Sequence, residues 1–359
     1  MELSRRKYLG RIAIWTLGWN ASRWMSGNLQ AFSCMQDSSG FEAEFPSMGS
    51  KINLRWYNNS ATSIHVVEAA EKVADQWVKV LSDYDPTSQS TLACLKADLG
   101  NWTPLSNELW SVVQMCDQWH RWSNGAFDAA LGAITRLRRQ RKQVSADKWD
   151  EARRKSGWSL IELDSCNQAI RFATPGVRFD FGAIGKGIVV DRIAAKLQEM
   201  EIEQYVVNSS GNMRIGTPPH STEGWPIAID GPVKDSTRMA NELLRMRLSR
   251  CGIATSGDRW QRFPDRPRAE KNEYSSHIVD PKTNEGISGH QSVTVIAENA
   301  TDADAAATAT CVRAGSDLAG WLQTLSENRP KLRVMVLVRD EATGAVRMIS
   351  NATEFSTAK

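Results

Sequence analysis

The stretch Phe179-Asp180-Phe181-Gly182-Ala183-Ile184-Gly185-Lys186-Gly187 sets three glycines between an extended segment and a helix that continues through Asp191. Glycine lets a backbone approach a ligand closely, and a helix that begins there offers N–H groups that favour anions such as phosphate. The segment fits neither G-x-G-x-x-G nor the Walker pattern, because Gly187 stands where Ser or Thr would follow Gly-Lys. Alone, it reads first as a tight turn entering a helix. Working outward, strands are predicted at 205–208, 226–230, 244–248, 292–297 and 332–338, and the helix from Gly187 to Met200 ends just before the first of them. Upstream, Val67, Ala70, Val73, Trp77 and Val80 recur at helical spacing over 64–81. Ser106 is placed to N-cap a second helix with the apolar face Leu109, Val113, Cys116 and Trp119. Strands and helices mix without strict alternation, which predicts an α+β architecture rather than a doubly wound parallel sheet. From Phe45 onward no linker, repeat or charge block marks a boundary, so one domain is expected.

Composition narrows the function classes. The 359 residues are 24% charged and 41% apolar, with 24 Gly and 12 Pro, which is an ordinary globular balance and long enough for a sizeable core without disulfides. No apolar run approaches the roughly 18–20 residues that a membrane-spanning helix needs. Residues 1–33 hold five basic side chains and one acid, which leaves 39 basic and 40 acidic residues in the rest of a chain of 44 and 41. That near-neutral body lacks the footprint of a nucleic-acid binder. The six cysteines and five histidines show no C-x-x-C or H-E-x-x-H spacing, so a zinc site has no support. Several of the 14 tryptophans, Trp77, Trp110, Trp119 and Trp122, fall at helical core spacing and are expected to pack.

The N-terminus carries its own signature. Ser4-Arg5-Arg6-Lys7-Tyr8-Leu9-Gly10 resembles a twin-arginine consensus, followed by the short apolar run from Ile12 to Trp19 and the small-residue pattern Ala31-Phe32-Ser33. Residues 1–33 are therefore expected to be an export signal and 34–359 the functional domain, in the periplasm or on the outer face of the cytoplasmic membrane. A solvated basic helix is the plainer alternative, and Ala31-Phe32-Ser33-Cys34 also reads as a degenerate lipobox that would acylate Cys34.

Two further segments bear chemistry. The Ala-rich stretch 301–310 places Asp304 and Thr308 one turn apart on a single helix face, a carboxylate and a hydroxyl suited to part of a hard-cation site. From spacing alone, an Asp interacting with the helix dipole is the simpler reading. His277-Ile278-Val279-Asp280-Pro281, shortly after Thr255-Ser256-Gly257-Asp258, reads as a strand running into a turn.

Taken in order, seven segments resemble the motif series of the ApbE family of FAD:protein FMN transferases. They are residues 45–50, 125–128, 180–187 with Asp191, 207–212, 255–258, 277–281 and 304–308, and the resemblance runs from about Phe45 to Val338. It implies a single α+β domain with mixed β-sheets flanked by helices, which transfers the FMN moiety of FAD to a Thr or Ser hydroxyl of another protein and releases AMP. It further implies that Asp304, Thr308 and the Ala183 carbonyl hold Mg²⁺. Met48, Tyr84, Ala126, Phe127, Asp128, Asp180, Lys186 and Ile278 would border FAD, and His277 would accept the attacking hydroxyl's proton. An imidazole, with an ordinary pKa of about 6.5, suits that last task near neutral pH. Acceptors of such enzymes are subunits of sodium-pumping NADH:quinone reductases and of Rnf-type complexes. Mg²⁺-dependent hydrolysis of FAD to FMN and AMP, or exported FAD binding without catalysis, are the alternative expectations. The chain departs from the family pattern at Ala129-Ala130-Leu131-Gly132-Ala133-Ile134, where Pro and Gly-Pro-Leu are usual, and at Ser210-Gly211-Asn212, where Gly-Gly-Asp is usual.

Overall fold

The computed structural model describes residues 12–14, 29–34, 38–57, 63–98, 100–140, 144–219, 222–230, 242–257, 262–264, 274–287, 290–340, 343 and 345–355. The twin-arginine stretch 4–10 and Asp258 lie outside the described residues. The backbone of Ala31-Phe32-Ser33-Cys34 falls in a strand.

A ten-stranded sheet forms the frame, and its spatial order is its chain order. The strands are β1 (Ile12–Ile14), β2 (Leu29–Cys34), β3 (Ser38–Ser47), β4 (Ser50–Tyr57), β5 (Tyr205–Ser209), β6 (Asn212–Ile215), β7 (Cys251–Gly257), β8 (His290–Ala297), β9 (Arg333–Arg339) and β10 (Val346–Ser350). All neighbours pair antiparallel except β1 and β2 at the edge. The strands predicted at 205–208, 292–297 and 332–338 are β5, β8 and β9. Those at 226–230 and 244–248 leave the sheet and pair with each other as Trp225–Asp230 and Glu242–Leu248.

Side chains alternate across the central strands, as a period of two demands. Val207, Ala254, Val293, Val295, Val334 and Val336 join the main core under the helices. Val206, Ile253, Ile296, Met335 and Leu337 face the other way, against Trp225, Ile227, Leu244 and Leu248 of the separate hairpin and against Phe355. Both faces of the sheet are thus covered.

Eight helices are described: α1 (Ser63–Leu81), α2 (Gln89–Ala97), α3 (Asn107–Trp122), α4 (Gly132–Arg139), α5 (Ala146–Arg154), α6 (Gly185–Glu199), α7 (Ala300–Ala314) and α8 (Leu318–Asn328). Ser106 caps α3 by accepting from the Leu109 amide at 3.2 Å, as its position predicts. α6 begins at Gly185 rather than after Gly187, because the Gly185 amide already bonds the Phe181 carbonyl at 2.7 Å. Trp77, Trp110 and Trp119 are buried as expected, whereas Trp122 remains 39% exposed with the Arg329 guanidinium 3.6 Å from its ring centroid. α7 consists largely of alanine, the best helix former, and its small side chains let it lie flat between α6 and the sheet. Gly252 on β7 marks that contact: a Cβ there would stand 2.0 Å from the Asn299 carbonyl carbon.

Candidate active site

The site begins where α6 crosses the start of α7. A Cβ at Gly187 would stand 2.4 Å from the Ala300 carbonyl oxygen, so the crossing requires glycine. One turn further along α6, Asp191 accepts from the Ala300 amide (3.0 Å), the Thr301 amide (2.8 Å) and the Thr301 hydroxyl (2.6 Å). Asn299 Oδ1 accepts from the Asp302 amide at 2.7 Å. A carboxylate on one helix therefore satisfies the open N–H groups of another, the groups that a helix start leaves without intrahelical partners.

This docking sets Asp304, one turn into α7. It is 2% exposed, and its Oδ2 accepts from the Gly187 amide at 3.0 Å. Among the described residues its other oxygen accepts no hydrogen bond. Burial pushes the carboxyl up from its ordinary value, while the Lys186 ammonium and the Gly187 amide pull it down. Thr308 follows one turn later, its Oγ1 3.4 Å from Ser256 Oγ at the end of β7. Ala183 lies in the turn that enters α6, where Lys186 Nζ donates to the Gly182 carbonyl at 3.3 Å. Among the described residues no group of three or more His, Cys, Asp or Glu side chains gathers to hold a metal. One open carboxylate oxygen, hydroxyls and a backbone carbonyl nevertheless fit a hard cation that completes its shell with phosphate oxygens and water. They do not fit zinc.

The second wall is built from loops tied to α4. Asp180 Oδ1 accepts from the Gly182 amide at 2.8 Å and Oδ2 from Arg139 Nη2 at 2.6 Å. Arg139 also bonds the Asp83 carboxylate and lies 4.8 Å from the ring centroid of Tyr84, which is 74% exposed. Burial and the neighbouring Asp180 push the Asp83 carboxyl up against the pull of Arg139. Met48 sits in the β3–β4 turn with φ +51°, followed by Gly49 at +70°. Its Cε would be 3.4 Å from a Cβ at Gly185, so the hairpin tip reaches the first residue of α6.

The expected residues 126–128 lie between α3 and α4. Ala126 and Phe127 are core residues, and Asp128 has both oxygens engaged, by the Ala130 amide at 2.7 Å and the Trp158 amide at 2.8 Å. It holds the fold at the start of the departing loop. His277 is half-buried between Ser276 and Ile278, both buried.

The sequence reading missed two features. One is Asp191 as the cap of α7. The other is a set of buried polar atoms at two neighbouring hairpin turns: Ser47 Oγ and Ser50 Oγ beside Met48-Gly49, and Ser209 Oγ and Asn212 Oδ1 beside Ser210-Gly211, none with a hydrogen-bond partner among the described residues. Ser47 pairs with Ser50, Ser209 with Asn212, and Ile52 of β4 with Ser209 of β5, which brings the two turns side by side. Each orphaned group costs about 1–3 kcal/mol, so these four atoms are candidates to meet a ligand. The only signal in the sequence is a polar residue on each side of a two-residue turn.

Comparison with known proteins places this geometry. The ApbE family model matches residues 48–335. The chain belongs to the ApbE family. Among curated ApbE relatives, the FAD:protein FMN transferase of Haemophilus influenzae is 25% identical over 336 residues, covering 90% of this chain and 93% of that one. The protein of the same description from Chlamydia muridarum is 31% identical over 215 residues, or 57% and 62% of the two chains. The solved flavin transferase ApbE of Vibrio cholerae shares the fold with a TM-score of 0.76 at 22% identity, covering 90% of this chain and all of that one. The ApbE protein of Thermotoga maritima gives 0.73 at 24%, covering 86% and 96%.

Proposed function

We propose that this ApbE-family chain is a FAD:protein FMN transferase that uses Mg²⁺, releases AMP and leaves the flavin esterified to a Thr or Ser of another protein. The observation that carries this reading is the open oxygen of Asp304, a buried carboxylate held one turn from Thr308 at a helix crossing that only glycine permits. The names of the curated relatives support it.

In this reading Asp304, Thr308 and the Ala183 carbonyl hold the cation, which when bound neutralises charge on the FAD pyrophosphate. Lys186 adds a positive charge beside the same carboxylate. Met48, Tyr84 and Asp180 border the flavin nucleotide, with Asp180 oriented by Arg139 and the Gly182 amide. The acceptor hydroxyl oxygen forms a bond to the FMN-side phosphorus, the pyrophosphate P–O bond breaks toward AMP, and His277 takes the hydroxyl's proton. Residues 1–33 act as an export signal, and the acceptors are extracytoplasmic flavoprotein subunits of the sodium-pumping NADH:quinone reductase or Rnf type.

The test incubates the purified chain with FAD, MgCl₂ and such an acceptor domain, then measures flavin fluorescence on the denatured acceptor together with AMP and free FMN. Labelled acceptor with matching AMP supports the transferase. AMP with equal free FMN and an unlabelled acceptor replaces it with hydrolysis.

A further inference from the structure

α4 carries Arg136, Arg138 and Arg139 within its last turn, and their guanidiniums tie α4 to Asp83, Asp180 and Ser276. Arg136 donates to the Asp83 carbonyl at 2.7 Å, and Arg139 joins the Asp83 and Asp180 carboxylates. Arg138 is 4% exposed and donates from Nη2 to the Ser276 carbonyl at 3.0 Å. The helix has no room to slide. The Gly132 amide bonds the Arg178 carbonyl at 2.9 Å, and a Cβ at Gly132 would stand 2.6 Å from both the Arg178 and Phe179 carbonyl oxygens. Burying a guanidinium is costly, and its planar fork gives directional hold in return.

Ser276 closes the other side. Its Oγ accepts from the Ile278 amide at 3.1 Å, its own amide donates to the Ile287 carbonyl at 3.3 Å, and the Ile287 amide donates to the Ile278 carbonyl at 2.9 Å. His277 is the apex of a one-residue arch with both feet bonded, and one foot is held by Arg138.

We propose that the Arg138–Ser276 pair is the positioning device for His277, an inference that rests on the reading of His277 as the proton acceptor. Neither residue needs to touch substrate. Arg138 fixes the backbone before the histidine, and Ser276 Oγ fixes the backbone after it.

The test compares the full chain with Arg138→Met, Arg138→Lys, Ser276→Ala, His277→Ala and the double variants that join His277→Ala to Arg138→Met or to Ser276→Ala. Rates are taken against FAD concentration, and FAD affinity is read separately from quenching of flavin fluorescence. Arg138→Met and Ser276→Ala are expected to lower kcat by about ten- to a hundred-fold, the scale of a base displaced by roughly 1 Å. FAD affinity stays within about twofold, Arg138→Lys recovers part of the loss, and each double variant is as slow as His277→Ala alone. Losses that multiply in the double variants, a wild-type kcat in both single variants, or FAD affinity that falls in step with kcat overturns the inference. If Arg138→Met does not fold, the Ser276→Ala cycle decides by the same criteria. A full rate in His277→Ala overturns the proton-acceptor assignment and this inference with it, whereas a slow His277→Ala beside multiplying losses overturns this inference alone.

Discussion

Two buried aspartates in this chain look alike until their oxygens are counted. Asp128, between α3 and α4, and Asp304, one turn into α7, are both withdrawn from solvent, and burial pushes both carboxyls up from the ordinary value. Asp128 receives two backbone amides, one on each oxygen, with His120 Nδ1 3.7 Å away. Asp304 receives one, on Oδ2, and keeps the other oxygen open. A perturbed carboxyl therefore does not by itself mark a ligand site, whereas an unfilled hydrogen-bonding valence in a place too tight to relax does.

Substitutions test that difference, beginning with the largest effect. Asp304→Ala should abolish flavin transfer, a loss of about a thousand-fold or more if cation neutralisation supplies several kcal/mol. Its melting temperature should lose its dependence on MgCl₂. Intact transfer by this variant in chelated buffer would break the comparison outright. Gly187→Ala forces a Cβ against the Ala300 carbonyl and should cost about 1–3 kcal/mol of stability while slowing transfer, since the amide that holds Asp304 moves with it. Urea unfolding and rate should fall together here, unlike at Asp128. Asp128→Asn turns an NH₂ toward one of two buried amides and should cost about 1–3 kcal/mol, with transfer preserved below the melting transition. A loss of transfer without a loss of stability would make Asp128 a ligand contact after all.

The smallest effect is a slope. The folded chain holds the Asp128 proton to higher pH than the unfolded chain, so the stability it contributes is full below the ordinary value of 3.8 and is lost as pH rises through the raised one. The stability gap between the parent and Asp128→Asn should therefore narrow as pH climbs from about 4 toward neutrality. Urea titrations of both proteins across that window measure it, and a gap that widens contradicts the raised carboxyl.

Local patterns carried much of this architecture into view. The apolar spacing of α1, the Ser106 cap of α3 and the shared face of Asp304 and Thr308 are short-range regularities, and the chain displays them directly. The glycine stretch announced a close approach without naming its partner, which proved to be the Ala300 carbonyl. What stayed hidden were pairings between distant segments: Arg138 with Ser276, Asp191 with the head of α7, and the two hairpin turns that bring Ser47 and Asn212 near each other. No periodicity encodes these, because each partner is locally an ordinary polar residue. The departure at 129–134 was readable as a departure, but its role as the root of α4 depends on the backbone it presses against.

The cap of α7 has a kinetic consequence. Its closing carboxylate comes from Asp191, 110 residues earlier in the chain, so the Ala300 and Thr301 amides gain their partner only once α6 has docked, whereas the Asp302 amide is capped locally by Asn299. A contact of such sequence separation costs loop-closure entropy before it returns anything, which slows folding rather than speeding it. The site around Asp304 thus depends on joining two segments more than a hundred residues apart, and any change that loosens the α6–α7 crossing is felt at the carboxylate.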